Sequence, residues 1–279
     1  MIDVLRRGAR RWPRLLRGYH SNRAALRGAV QRIEIPVRHA LERRRLELFR
    51  DRHRGDRCFV IGNGPSLRGR DLGPLAGEAT FVTNHFYFHP QLRILQPTYY
   101  CVSDLSFFDT RNHSDWPRNF ARLPATTVLF FPVELQRRVR ASALGQHPHI
   151  HYLRCDRTRE IWRLGNMNVD VTGILGTGDS VILDVCLPLA HFMGFSEVYL
   201  LGCDTDYGSG SGTAHFYEAS TPRRSAEYHR DAWYDNVTCS YTVAKDLFDA
   251  GGRRIYNATA GGRLEVFPRV SLEDALRRI

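Results

Sequence analysis

No apolar run in this 279-residue chain approaches the roughly 18 residues that a membrane-spanning helix needs, so nothing is expected to cross a bilayer. The basic N-terminus carries no apolar stretch of signal-peptide length, so a secretory signal is not expected. The six cysteines are scattered and no C-x-x-C pair occurs, which argues against zinc. Several lie inside apolar runs, where a cysteine is usually a small core residue, so they read as reduced and the compartment as cytoplasmic. Lysine is nearly absent, with a single residue at Lys245. There is no internal repeat, no low-complexity segment and no recognised nucleic-acid motif, so nucleic acid is not an expected partner.

What the chain does have is arginine, unevenly placed. Residues 1–57 hold 17 arginines against six acidic residues, whereas residues 58–279 balance 23 basic against 23 acidic. The whole net charge of +11 therefore sits in the first fifth. Residues 1–55 read as a basic helical extension, interrupted at Pro13 and Pro36. Trp12, Leu15 and Leu16 among arginines suit a peripheral anchor on an anionic inner leaflet. A solvated extension fits the same composition, and RNA binding is a weaker third reading.

From Cys58 the texture changes. Short apolar runs at Cys58–Ile61, Thr80–Thr83, Tyr99–Val102, Thr127–Phe131, His149–Leu153, Val198–Leu201 and Arg254–Tyr256 read as strands. Helices are expected at Ser180–Met193, at about 224–250, and after Ser271, where Ser-Leu-Glu-Asp forms a capping box. Strands alternating with helices predict an α/β domain over 56–279. It is a Rossmann-like, mostly parallel sheet with helices on both faces.

In such sheets ligands bind beyond the carboxyl ends of the strands. The first strand ends there in Gly62-Asn63-Gly64-Pro65-Ser66. The glycines permit positive φ and close backbone approach, Asn63 offers an amide, and Ser66 can cap the next turn. Free N–H groups in this loop would suit a nucleotide. It is neither G-x-G-x-x-G nor a P-loop, and a plain strand-to-helix turn fits it too. The second strand ends in Asn84, followed by His85, Phe86, Tyr87 and Phe88, a run that reads best as packing. Gly176-Thr177-Gly178-Asp179 opens the Ser180 helix, whose N–H groups offer a phosphate seat. Asp204, Asp206 and Tyr207 follow another strand end, where the aspartates can hold a metal or ribose, or cap a turn. The glycine-rich stretch 208–222 reads as an active-site loop carrying His215, a candidate acid or base, and Tyr217, a candidate hydrogen-bond donor to a phosphate.

The ordered set V-I-G-N-G-P-S-L, T-N-x-F-Y-F, the Thr177-Gly178 turn, and A-x-x-x-G-F-x-E-V-Y-L-L-G-x-D resembles the bacterial CMP-sugar sialyltransferases and the wider group around them. That group includes motility-associated flagellin glycosyltransferases and MptE-like hydroxymethylpterin diphosphokinases. The resemblance runs from about Cys58 to Tyr217. The tail from Asn257 looks more like the wider group. It implies that Asn63 and Asn84 hydrogen-bond a nucleotide, that Thr177 and Gly178 lie near its base or ribose, that a late-loop His deprotonates the acceptor, and that tyrosines hold the leaving phosphate.

This chain departs from the pattern in that loop. His215 is followed by Phe216, and Ala219 stands where a second His would be; His229 is a substitute, and Tyr207, Tyr217 and Tyr228 offer phenols. The expected function is glycosyl transfer from a CMP-activated donor to a glycan or glycolipid, without cofactor or metal. The runner-up is a pyrophosphokinase using ATP and Mg²⁺ on a pterin, with Asp204 and Asp206 as metal ligands. The third is a nucleotide-binding scaffold without catalysis. Assembly into a homo-oligomer is compatible with all three.

Overall fold

The computed structural model describes residues 40–105, 116–120, 122–206, 215–217 and 231–277. The chain divides into two compact units, Met1–Leu41 and Glu42–Ile279. Nearly all of the first, with the proposed membrane contact, lies outside the described residues. The second takes in residues 42–55 as well, because Leu46 and Phe49 are buried in its core.

Seven strands form one parallel sheet: β1 (Arg57–Ile61), β2 (Thr80–Thr83), β3 (Tyr99–Cys101), β4 (Val128–Pro132), β5 (Ile150–Leu153), β8 (Glu197–Leu201) and β9 (Arg254–Asn257), in the order β5-β4-β3-β2-β1-β8-β9. All seven were legible as apolar runs, because a parallel strand covered on both faces needs little polar alternation. β6 (Cys155–Glu160) and β7 (Leu175–Thr177) pair separately and were not expected. β6 reads CDRTRE, is mostly polar and has no buried residue, so it carries no hydrophobic signal.

Each face of the sheet has its own cover. Cys58, Val60, Val198 and Leu200 point to one face. There they meet Leu46 near the end of α1 (40–47), the helical run α2 (a π turn, Ile182–Cys186, then Leu187–Phe192), and α3 (Asp231–Ala250). On the other face Phe59, Tyr199 and Tyr256 stack in a row, with centroids 5.2 and 5.1 Å apart. The loop after β1 opens a short 3-10 turn, Pro65–Leu67, and no full helix. The expected capping box holds: Ser271 Oγ accepts from the Asp274 N–H at 2.9 Å and starts α4 (Leu272–Arg277). Among the described residues no helix is long and apolar enough to cross a membrane.

Candidate active site

The strand order reverses at β1. One neighbour, β2, follows it directly; the other, β8, arrives only after the chain has built the far side. Such a switch point splays the loops at the carboxyl ends and leaves a crevice. The β1 loop, 62–66, and the β8 loop, 202–206, meet there.

They meet closely enough to explain both glycines of the β1 loop. The Gly62 and Gly64 N–H groups donate to Leu201 and Gly202 carbonyls at 2.8 Å, extending the ladder past the strands. A Cβ on Gly62 would lie 2.4 Å from the Gly202 carbonyl oxygen, and one on Gly64 only 1.7 Å from Asp204 Oδ2. Neither glycine has positive φ, so of the two reasons expected from sequence the conformational one fails, and the close approach is to the protein's own β8 loop. The partner approached is Asp204.

Asp204 in turn caps the Pro65–Leu67 turn. Its carboxylate accepts from the Ser66 N–H at 3.2 Å and from Ser66 Oγ at 2.8 Å. Ser66 is thus held rather than capping. Burial raises the Asp204 pKa, and the two Ser66 bonds pull it back. With three loop N–H groups engaged, the loop is not the open anion cradle the glycines suggested. Thr205 follows with φ of +49°, a strained value for a β-branched residue, its hydroxyl on the Asp204 carbonyl at 2.8 Å. Asp206 completes this loop, and Tyr207 lies outside the described residues. Among the described residues no group of three His, Cys, Asp or Glu could hold a metal.

At the other side of β1, Asn63 reaches the tip of β2. Its Nδ2 donates to the Thr83 carbonyl and the Thr83 hydroxyl, both at 3.0 Å. A carbonyl can only accept, so the amide nitrogen must face it and the amide oxygen must face away. That oxygen is buried and has no partner. Asn84 adopts φ of +47°, which asparagine tolerates better than most residues. The buried Tyr100 hydroxyl holds this turn, donating to the Asn84 carbonyl and accepting from the Tyr87 N–H. The Asn84 side-chain oxygen is likewise buried without a partner. The two strand tips therefore present two unsatisfied acceptors.

The segment His215–Tyr217 lies over these tips. The Phe216 N–H donates to the Asn63 carbonyl at 3.0 Å, and Arg68 donates to the carbonyls of His215 and Phe216. The Phe216 ring packs edge-on against Phe86 and His89, at 5.9 and 5.0 Å. Burial pushes the His89 imidazole below its usual pKa, so it is a neutral packing group. The Tyr217 phenol lies 3.2 Å from His85 Nδ1, and the His215 and Tyr217 rings stack 5.0 Å apart. His85 was masked in the sequence by its aromatic neighbours. The available signal was that it follows Asn84 directly and is the one ionisable residue before Tyr87.

Thr177 and Gly178 lie beyond the next tip, that of β3. Asp184 Oδ1 accepts from the Gly178 N–H at 2.8 Å and from Thr177 Oγ1 at 3.2 Å, and the Ser103 side chain also bonds Asp184. The expected phosphate seat is thus filled by the protein's own carboxylate. Asp184 reaches it from the π turn. Pro188 explains the widening: it lacks an N–H and its ring clashes with the carbonyl four residues back.

Burial raises Asp184 to about 6 from a usual 3.8. The folded chain then keeps a proton between these values that the unfolded chain releases. Stability from this group is full below the lower value and is lost as pH rises through the higher. Asp184→Asn does not titrate, so it is expected to gain on wild type by about 3 kcal/mol between about pH 4 and about pH 7. Urea unfolding across that range measures it; a pH-independent difference would mean Asp184 ionises normally.

No family model matches the chain, and no curated protein does. Among solved structures it is similar to the sialyltransferase CST-II, solved in complex with a trisaccharide acceptor and CMP. Identity is 13%, coverage is 72% of this chain and 80% of that one, and the TM-score is 0.40. The likeness is a distant one, of overall fold, and the chemistry rests on the geometry of the strand tips.

Proposed function

We propose that the chain is a glycosyltransferase that moves a sugar from a CMP-linked donor to a hydroxyl of a glycan or glycolipid. The observation that carries this is the pair of buried, partnerless amide oxygens of Asn63 and Asn84 at adjoining strand tips. Leaving such an acceptor unsatisfied costs about 1–3 kcal/mol, so the site favours a ligand that brings donors. A phosphate alone brings only acceptors. A ribonucleoside brings ribose hydroxyls, and cytidine adds an exocyclic amine.

The remaining groups have roles in that reaction. As the sugar–phosphate bond breaks, its electron pair stays on the CMP phosphate, where the Tyr217 phenol donates. The acceptor oxygen bonds the anomeric carbon and its proton passes to His215. The pyrophosphokinase reading would need Mg²⁺ on Asp204 and Asp206, and it would have to share Asp204 oxygens that already accept from Ser66.

A thermal-shift panel tests the proposal. CMP is expected to raise Tm without metal, stabilising by about 2.7 kcal/mol at a hundredfold excess over Kd. Protection by ATP only with Mg²⁺ would move the assignment to the kinase, and silence towards every nucleotide would remove both. CMP binding without any turnover of a CMP-sugar would leave the scaffold.

A further inference from the structure

We infer that His85 is a positioning residue for the leaving phosphate, acting through Tyr217; this rests on the transferase reading. His85 sits in the 3-10 turn that starts at Asn84. Its ring is fixed on two sides, parallel to Phe88 at 6.0 Å and edge-on to Tyr87 at 5.6 Å. Its Nδ1 faces the Tyr217 oxygen at 3.2 Å. Tyr217 is delivered to that point by the Phe216 N–H on Asn63, by the Phe216 ring between Phe86 and His89, and by Arg68. Two separate elements thus converge on one hydrogen bond.

The direction of that bond decides what the phenol can do. A phenol has one proton and can both donate and accept. If it donates to Nδ1, no proton remains for a phosphate. If Nδ1 carries the proton and donates, the phenol keeps its own proton to donate. A phosphate oxygen accepts only, so its arrival selects the second arrangement. The bond to the phenol then strengthens as negative charge grows on the leaving CMP. His85 gives up no proton in this step; it aims the phenol and fixes its polarity. A mere spacer between Phe88 and Tyr217 would be indifferent to which nitrogen is protonated.

The test reads that nitrogen. Wild type is labelled with ¹⁵N-histidine, His85 is assigned with His85→Asn, and CMP is added while calorimetry tracks its binding. The expected result is an Nδ1–H imidazole at His85 once CMP is bound, with no such change in Tyr217→Phe. CMP bound with Nδ1 still bare overturns the inference and leaves the transferase reading standing. No CMP binding by wild type overturns both.

Turnover of CMP-sialic acid gives a second readout. His85→Ala should lower kcat about tenfold at unchanged KM, because the phenol loses its director but the binding groups stay. His85→Asn, which can place an amide N–H near the Nδ1 position, should recover to within about threefold. The double variant with Tyr217→Phe should be no slower than Tyr217→Phe alone, since both act through one bond. Additive losses, or no recovery with Asn, overturn the inference.

Discussion

Gly64→Ala is expected to break the junction between the β1 and β8 loops and to abolish nucleotide binding. The backbone at Gly64 is no obstacle, since φ of −65° and ψ of 158° suit alanine. The obstacle is Asp204, whose Oδ2 would lie 1.7 Å from the new Cβ and its Cγ 2.5 Å, with the Gly202 carbonyl oxygen at 2.7 Å. Asp204 cannot swing clear without dropping both bonds to Ser66. It is also hemmed in behind, where the Arg263 N–H donates to its carbonyl at 2.8 Å. Overpacking plus a lost charged cap should destabilise by about 3 kcal/mol or more. Urea unfolding measures this, and Gly64→Ala/Asp204→Ala should recover part of the loss because it removes the colliding atoms. A single variant within about 1 kcal/mol of wild type would mean the two loops do not pack against each other at Gly64.

That junction also shows what the sequence could and could not say. Two glycines around an asparagine at a strand end marked a loop open to close approach. They did not reveal the constraint, because a glycine required for φ and one required for space look alike in a sequence. Only the fold brings residue 204 against residue 64. The same holds for Asp204, which read equally as a ligand and as a cap, and for the Thr177–Gly178 turn. An open helix start and one filled by Asp184 have the same local residues. The sheet was legible because its information is local: each strand is a run of apolar residues bounded by turns. β6 was not, because its exposed polar residues carry no such mark, and the π turn was not, because its cause is one proline inside an apolar helix pattern. His85 was hidden for a related reason. An aromatic run signals burial, and the member whose ring nitrogen meets the Tyr217 phenol is told apart only by where residue 217 arrives.

Asn63→Asp separates a strut from a simple ligand contact. In the wild type the Asn63 amide nitrogen donates to two oxygens of Thr83, and the Thr83 hydroxyl passes its own proton towards the Ile61 carbonyl at 3.4 Å. The substitution keeps the shape and replaces the donor with an acceptor. At neutral pH a carboxylate oxygen would then face the Thr83 carbonyl with no proton between them. Loss of the bond and the repulsion should cost about 2–4 kcal/mol, and the negative charge should weaken CMP binding at least about a hundredfold. Acidification should reverse part of this. The introduced carboxyl is favoured in its protonated form, since only that form can donate to Thr83, so its folded pKa is raised. Its deficit against wild type should therefore shrink as pH falls through that raised value, and it should be largest at neutral pH. Asn63→Ala offers no such recovery, because it has no group to protonate. If Asn63→Asp matches wild type in stability at neutral pH, Asn63 is not bracing β2. If Asn63→Ala, which removes the ligand-facing oxygen, binds CMP as tightly as wild type, the amide oxygens of the two strand tips do not form the nucleoside site.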